Sequence, residues 1–90
     1  MARRSQLDII FDMLRAAQDK GGEIIPTHML YKANLSHKQL KRYVAKLEKQ
    51  GFLEVVSVDD DSEVYRITHK GDVYVRKILE MREFEDTFDL

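Results

Sequence analysis

The chain opens with apolar residues at helical spacing. Between residues 5 and 20, positions 7, 10, 11, 14 and 17 are apolar, which is the pattern of an amphipathic helix. Ser5, followed three residues later by Asp8, predicts where this helix begins, and the Gly21–Gly22 pair predicts where it ends. A second apolar row on the same helix should need a further partner and consists of Ile9, Met13 and Ala16.

The middle of the chain predicts two more helices joined by a short turn. Thr27 directly follows the only proline and can cap a short helix over residues 27–33. Ser36 and Gln39 stand at the spacing of a capping box, which predicts a third helix over residues 36–50. Two helices separated by so short a turn are typical of a helix-turn-helix.

The pattern then changes from helical spacing to strands. Residues 52–67 contain two runs rich in β-branched residues around a polar turn, and so predict a β-hairpin. Helical spacing returns over residues 68–82, and an acidic tail over residues 83–90 follows. The predicted fold class is mainly α with a small β-hairpin (α+β), in the order α-α-α-β-β-α. One domain, residues 1–90, with this order is a winged helix-turn-helix.

Composition narrows the class of protein. The chain is 43% hydrophobic and 34% charged, as in folded domains. It contains no cysteine, which excludes disulfide scaffolds, cysteine zinc sites and thiol nucleophiles. No apolar run approaches the ~20 residues of a membrane span. From these features we expect a cytoplasmic, nucleoid-associated protein without membrane contact.

The sequence lacks the motifs of enzymes and cofactor sites. Its three histidines, His28, His37 and His69, do not stand at metal-ligand spacing. Its glycines form no phosphate loop, and no serine lies in a nucleophile elbow. We therefore predict no enzymatic activity, no metal, no cofactor and no small-molecule ligand.

Charge is distributed unevenly along the chain. Residues 1–51 hold ten Lys/Arg against five Asp/Glu, whereas residues 52–90 hold five against eleven, which together give the net charge of −1. Such asymmetry is typical of a domain with one face for polyanions. The alternative is chance scatter of charge over a solvated surface.

The third helix concentrates the positive charge. Leu40, Val44 and Leu47 form its apolar stripe, and the opposite side carries five Lys/Arg. In a helix-turn-helix this second helix of the motif enters the major groove of DNA; the alternative is an ordinary solvated lysine-rich face. The expected DNA-contacting residues are Arg3, Arg4, Thr27, Lys32, Asn34, Ser36, His37, Lys38, Lys41, Arg42, Lys46 and Lys49.

The tip of the hairpin carries the opposite charge. Asp59, Asp60, Asp61 and Glu63 stand where many winged helices place basic residues. Phosphate should repel them, so we expect the wing to stay off DNA. The run also lacks the alternating ligands and central glycine of a calcium loop, which favours a solvated turn.

Three stretches of the chain, residues 4–14, 27–54 and 65–75, resemble the ArnR-like winged-helix regulators of archaea, a family related to small archaeal coiled-coil chromatin proteins. The last stretch includes a strand followed by Thr-x-x-Gly, Thr68 to Gly71. The resemblance covers nearly the whole chain and implies a homodimer that binds double-stranded DNA, either sequence-specifically or as an architectural protein. It places the groove-reading positions between Ser36 and Lys49.

Two apolar rows on the last helix predict a homodimer. A helix that is apolar on two sides is buried on two sides, so one row should cap the domain and the other should meet a second copy; the alternative is that both rows serve one core. The expected interface residues are Ile9, Met13, Tyr74, Ile78, Met81, Phe84 and Phe88. The predicted function is a homodimeric DNA-binding transcription regulator that reads the major groove of double-stranded DNA with the helix over residues 36–50. The alternative is a winged-helix protein-interaction module, or an architectural chromatin protein, without sequence-specific DNA binding.

Overall fold

The computed structural model describes residues 4–89 and contains four helices and three strands in that range. The elements are α1 (Gln6–Asp19), β1 (Glu23–Ile24), α2 (Pro26–Lys32), α3 (His37–Lys49), β2 (Leu53–Ser57), β3 (Glu63–Ile67) and α4 (His69–Thr87). The predicted fold class and the order α-α-α-β-β-α are confirmed. The structure adds the short strand β1 between α1 and α2.

The hairpin forms part of a three-stranded antiparallel sheet with the order β1-β3-β2. Leu53 pairs with Ile67 and Ser57 with Glu63 in the hairpin, while Ile24 of β1 pairs with Tyr65. Sequence analysis did not predict β1, because two residues are too few to show an alternating pattern. The tip of the hairpin, residues 58–62, is exposed and lines a groove together with residues 25–27 at the start of α2.

Local hydrogen bonds fix where the helices begin. Ser5 and Asp8 cap α1 reciprocally, and Ser36 and Gln39 do the same for α3, with distances of 3.0 and 3.1 Å, so both predicted capping pairs are present. The Ser5 backbone N–H, then its hydroxyl, lower the pKa of the Asp8 carboxyl. These caps define the two helix starts without help from distant parts of the chain.

The start of α2 differs from the prediction. Ile25 is the N-cap, makes no side-chain cap, and Pro26 is the first helical residue. Proline suits that place because its fixed φ is already helical and its missing N–H would have had no intrahelical partner. The Thr27 side chain therefore does not cap the helix and lies exposed at its first turn.

The core lies between the helices and one face of the sheet. Six large side chains are fully buried there: Met13, Leu14, Met29, Leu47, Leu53 and Val75. On α1 both apolar rows contribute to this core, since Ile9 and Met13, which were expected to face a partner, are buried together with Leu14 of the other row. Leu7, from the row expected in the core, is 36% exposed.

Helix α4 lies along α1. Gln18 donates to Asp72 near the start of α4 (2.9 Å), and Arg82 donates to Asp8 near its end (3.0 Å), so the two helices run antiparallel. At the start of α4, a Cβ on Gly71 would collide with the carbonyl oxygen of Phe52 and the side chain of Ile67. Close approach of α4 to the sheet therefore explains the glycine in the Thr-x-x-Gly motif.

Helix α4 also continues through most of the predicted acidic tail. It ends at Thr87 rather than at residue 82. Phe84 and Phe88, one helical turn apart, have ring centroids 4.7 Å from each other, and such i,i+4 pairs stabilise a helix. None of the helices in residues 4–89 is both long and apolar enough to cross a membrane.

Candidate nucleic-acid interface

Helix α3 is anchored by one apolar face. Leu40, Tyr43, Val44 and Leu47 are all buried, and they attach the helix to the core. Asn34, in the turn before it, has a φ of 54°, a left-handed conformation that asparagine adopts more readily than most residues. The turn and the apolar face together fix which side of α3 points outward.

The outward side of α3 is basic and forms no ion pair with any residue in the range 4–89. Its exposed cations are Lys38, Lys41, Arg42, Lys46 and Lys49. Among residues 4–89, none of these five takes part in an ion pair, whereas six of the nine Lys/Arg elsewhere do. The protein therefore neutralises most of its other cations internally and leaves this group available to an external anion.

Tyr43 orders two of these cations. The guanidinium of Arg42 lies 5.1 Å from the centre of the Tyr43 ring, and the ammonium of Lys46 lies 5.9 Å from it. Both distances fall within the range of a cation–π interaction, which is weak for exposed groups. Tyr43 was expected at the edge of the apolar stripe; it is buried and also supports the basic side.

Positive charges near the N-terminus of α3 destabilise the helix. Lys38 and Lys41 lie in its first two turns, where the helix dipole disfavours positive charge. At the other end, Lys70 donates to the carbonyl oxygen of Gln50 (2.7 Å) just beyond the helix, which favours the helix. An anion near the first turns would offset the unfavourable term.

Several other predicted contact residues lie exposed near the start of α2 and α3. Thr27 is in the first turn of α2, Asn34 is in the turn, and Ser36 and His37 begin α3. Hydroxyl, amide and backbone N–H groups at helix N-termini are common phosphate ligands. The Ser36 hydroxyl already accepts from the backbone of Gln39.

Two predicted contact residues are engaged elsewhere. Lys32 forms an ion pair with Asp19 of α1 at 3.7 Å. Arg4 donates to the carbonyl oxygens of Ala33 and Asn34, at 2.6 and 2.7 Å, and to Asp12. Arg4 therefore holds the turn before α3 in place rather than forming a free basic arm, and Arg3 lies outside the described residues.

The tip of the wing is acidic and exposed to solvent. Asp59, Asp60, Asp61 and Glu63 are exposed, and none of them forms an ion pair within the range that the structure covers. The only side-chain hydrogen bond at this tip is from the Asp61 backbone N–H to the Asp59 carboxylate (3.0 Å). The basic side of α3 and the wing tip are thus two separate regions of opposite charge.

The residues expected at a dimer interface divide into two groups. Ile9, Met13 and Ile78 are buried within the protomer, so they cannot contribute surface to a partner. Tyr74 is partly buried and stacks on Phe52 with a centroid distance of 4.5 Å. The remaining three are half or more exposed: Met81 (50%), Phe84 (56%) and Phe88 (61%).

Comparisons with known proteins agree with this architecture. The family model of the winged helix-turn-helix matches residues 3–86. Two uncharacterized proteins of Methanocaldococcus jannaschii are similar in sequence: MJ0290, 32% identical over 88% of this chain and 34% of its own length, and MJ0287, 28% identical over 90% of this chain and 76% of its own length. The chain thus spans about a third of one relative and three quarters of the other.

Two solved structures share the fold. Sso10a-2, a DNA-binding protein from Sulfolobus solfataricus, superposes with a TM-score of 0.80 at 26% identity, over 94% of this chain and 85% of that one. Bordetella bronchiseptica BpsR, whose DNA binding is regulated by 6-hydroxynicotinic acid, superposes with a TM-score of 0.75 at 18% identity, over 88% and 57%. The chain belongs to the winged helix-turn-helix family.

Proposed function

We propose that this protein is a homodimeric, nucleoid-associated transcription regulator that binds double-stranded DNA by placing α3 in the major groove. The observation that carries the proposal is the set of five exposed Lys/Arg on α3, none of them in an ion pair within residues 4–89. A rigidly anchored helix with a free basic side matches the way a helix-turn-helix meets DNA. Similarity to the DNA-binding protein Sso10a-2 supports it.

The chemistry of the side chains assigns their roles. Arg42 and Lys41 can donate to the O6 and N7 atoms of guanine. Thr27, Asn34 and His37 would contact phosphates and set the register of the helix on the duplex. Arg4 acts indirectly, because it positions the turn that leads into α3. The wing stays off the phosphates because of its four carboxylates.

Salt dependence tests whether the contact with DNA is electrostatic. If the dimer neutralises about six to ten phosphates, its affinity should fall by about 10³–10⁵ between 50 and 200 mM salt. The measurement is fluorescence anisotropy of a labelled duplex titrated with protein at several salt concentrations. The DNA upstream of the protein's own gene is included among the duplexes. Absence of binding at 50 mM salt by folded protein would contradict the proposal.

The dimer is proposed to form through the exposed stripe of α4. Met81, Phe84 and Phe88 follow one another at i, i+3 and i+7 and so lie on one side of the helix. Apolar groups this exposed on adjacent turns are unusual on a monomer surface and are typical of an interface. A two-fold dimer would present two α3 helices to half-sites about 34 Å apart.

Substitutions in this stripe should convert the dimer to a monomer. Phe84→Glu combined with Phe88→Glu puts four carboxylates face to face across a two-fold interface, and sedimentation velocity should then show half the mass. Leu79→Glu is the control, because Leu79 is 44% exposed but lies on the opposite side of α4 from Phe88. An unchanged mass for the double variant, or a monomeric wild type, would contradict this arrangement.

The acidic wing favours a second candidate function, a protein-interaction module. Asp59, Asp60, Asp61 and Glu63 would suit a basic protein partner. The basic side of α3 opposes this reading, because it has no comparable use in such a module. The two functions separate in one experiment: a protein that binds no duplex at low salt, yet is folded, supports the interaction module.

A further inference from the structure

We infer that Ala45 selects thymine at the centre of each half-site, through contact between its methyl group and the thymine C5-methyl. This inference rests on the proposed function, since it concerns what α3 meets in the major groove. Ala45 is the only apolar residue among the exposed positions of α3. It was not among the residues that the sequence predicted to contact DNA.

Position on the helix makes Ala45 central. At 100° per residue, Lys38, Arg42, Ala45 and Lys49 fall within about 60° of one another around the helix axis. The same geometry places this line opposite the buried residues Leu40, Val44 and Leu47. The line is therefore the part of α3 farthest from the core and deepest in a groove that receives the helix.

Side-chain length makes Ala45 the point of closest approach. Arg42 lies about 4.5 Å before it along the helix axis and Lys49 about 6 Å after it, and both have long cationic side chains. The Arg42 guanidinium and the Lys46 ammonium lean toward the Tyr43 ring, which is on the far flank of the helix from Ala45. A small opening is therefore left in the middle of the basic side, bordered by the cations of Arg42 and Lys49 and by the exposed Glu48 one turn after Ala45.

The major groove offers one apolar group that fits this opening. Thymine alone among the four bases presents a methyl group there, and alanine is one of the side chains that contacts it. A larger side chain at position 45 would hold the helix away from the bases. Glycine, which has no side chain, would leave the thymine methyl group without a contact. Thymine is thus favoured opposite Ala45, next to the base that Arg42 contacts.

The test compares the wild type and Ala45→Gly on duplexes with and without the methyl group of a single thymine. A duplex is selected by the wild type from a randomised pool, and each thymine is then replaced singly by deoxyuridine, which lacks only the C5-methyl. One buried methyl group corresponds to about 0.8 kcal/mol, so replacement at one position of either half-site should weaken wild-type binding about fourfold. The same replacement should leave the affinity of Ala45→Gly unchanged. Because each protein is compared with itself, any effect of glycine on helix stability cancels.

The outcomes separate this inference from the proposed function. Selection of duplexes without a preferred thymine, or an equal loss for wild type and Ala45→Gly at every uracil position, would overturn the role of Ala45 while leaving DNA binding by α3 intact. Failure of the wild type to bind any duplex at 50 mM salt would overturn both. A loss at one position of each half-site, in the wild type alone, is the result that we expect.

Discussion

A protein with Lys41→Glu and Arg42→Glu is expected to bind duplex DNA at least about 100-fold more weakly than the wild type. Both side chains are exposed, and no carboxylate neutralises either of them within residues 4–89. A good contact from such a side chain to a base contributes about 1–3 kcal/mol, and two carboxylates in their place add repulsion from the phosphates. Fluorescence anisotropy at 50 mM salt measures the loss.

The control for this pair reverses two cations elsewhere on the surface, so that the net charge changes equally. Lys20→Glu with Arg76→Glu changes residues that are exposed and also lack an ion pair in the described range, but Lys20 lies just after α1 and Arg76 lies on α4. This variant should bind within about threefold of the wild type, since it changes only the long-range field. Equal losses for the two double variants would mean that net charge, rather than α3, governs binding.

Replacing Leu14 by Ala should destabilise the fold far more than replacing Leu7 by Ala. The two leucines occupy the same helix, yet Leu14 is fully buried and Leu7 is 36% exposed. Truncation of a buried leucine removes apolar contacts and leaves a cavity, which lowers the free energy of unfolding by about 2–5 kcal/mol. For a domain of this size, with a stability of about 5–10 kcal/mol, the Leu14→Ala protein would be partly unfolded on mild heating.

Urea unfolding followed by circular dichroism measures this difference. The same protein concentration must be used throughout, because dimerisation adds to the apparent stability. Leu7→Ala should lower the free energy of unfolding by less than about 1 kcal/mol. Comparable losses for the two variants would contradict the structure, in which Leu14 is buried and Leu7 lies at the exposed end of the same apolar row.

Features that depend on neighbouring residues could be predicted from the sequence. The capping pairs Ser5–Asp8 and Ser36–Gln39 are local, and each is present in the structure. The apolar stripe of α3 follows directly from helical spacing, since one side has Leu40, Val44 and Leu47 and the other has cations. These local signals were sufficient for the order of elements and for the basic side of α3.

Features that depend on contacts between distant parts of the chain could not be predicted from the sequence. In the sequence, Arg4 looks like a free basic residue. Its carbonyl acceptor lies in a turn 30 residues away, and only the fold brings the two together. Likewise, the sequence does not show that Lys32 has a partner, because Asp19 lies on α1 and only the fold places it beside Lys32. On α1, periodicity showed two apolar rows, but only the packing of the other helices and the sheet determines that both rows are covered and that Leu7 is left partly exposed. Contacts of this kind leave no pattern in a single sequence.

The central claim, that α3 faces DNA, is tested most directly by site-specific crosslinking. The sequence contains no cysteine, so a single introduced cysteine carries a photo-activated crosslinker at one known place. Lys38→Cys on α3, Asp60→Cys on the wing and Arg76→Cys on α4 would be compared on the same duplex. We expect crosslinks to DNA from position 38 and none from position 76, with little from the wing. Crosslinks from position 60 or 76 in the absence of any from position 38 would contradict the claim.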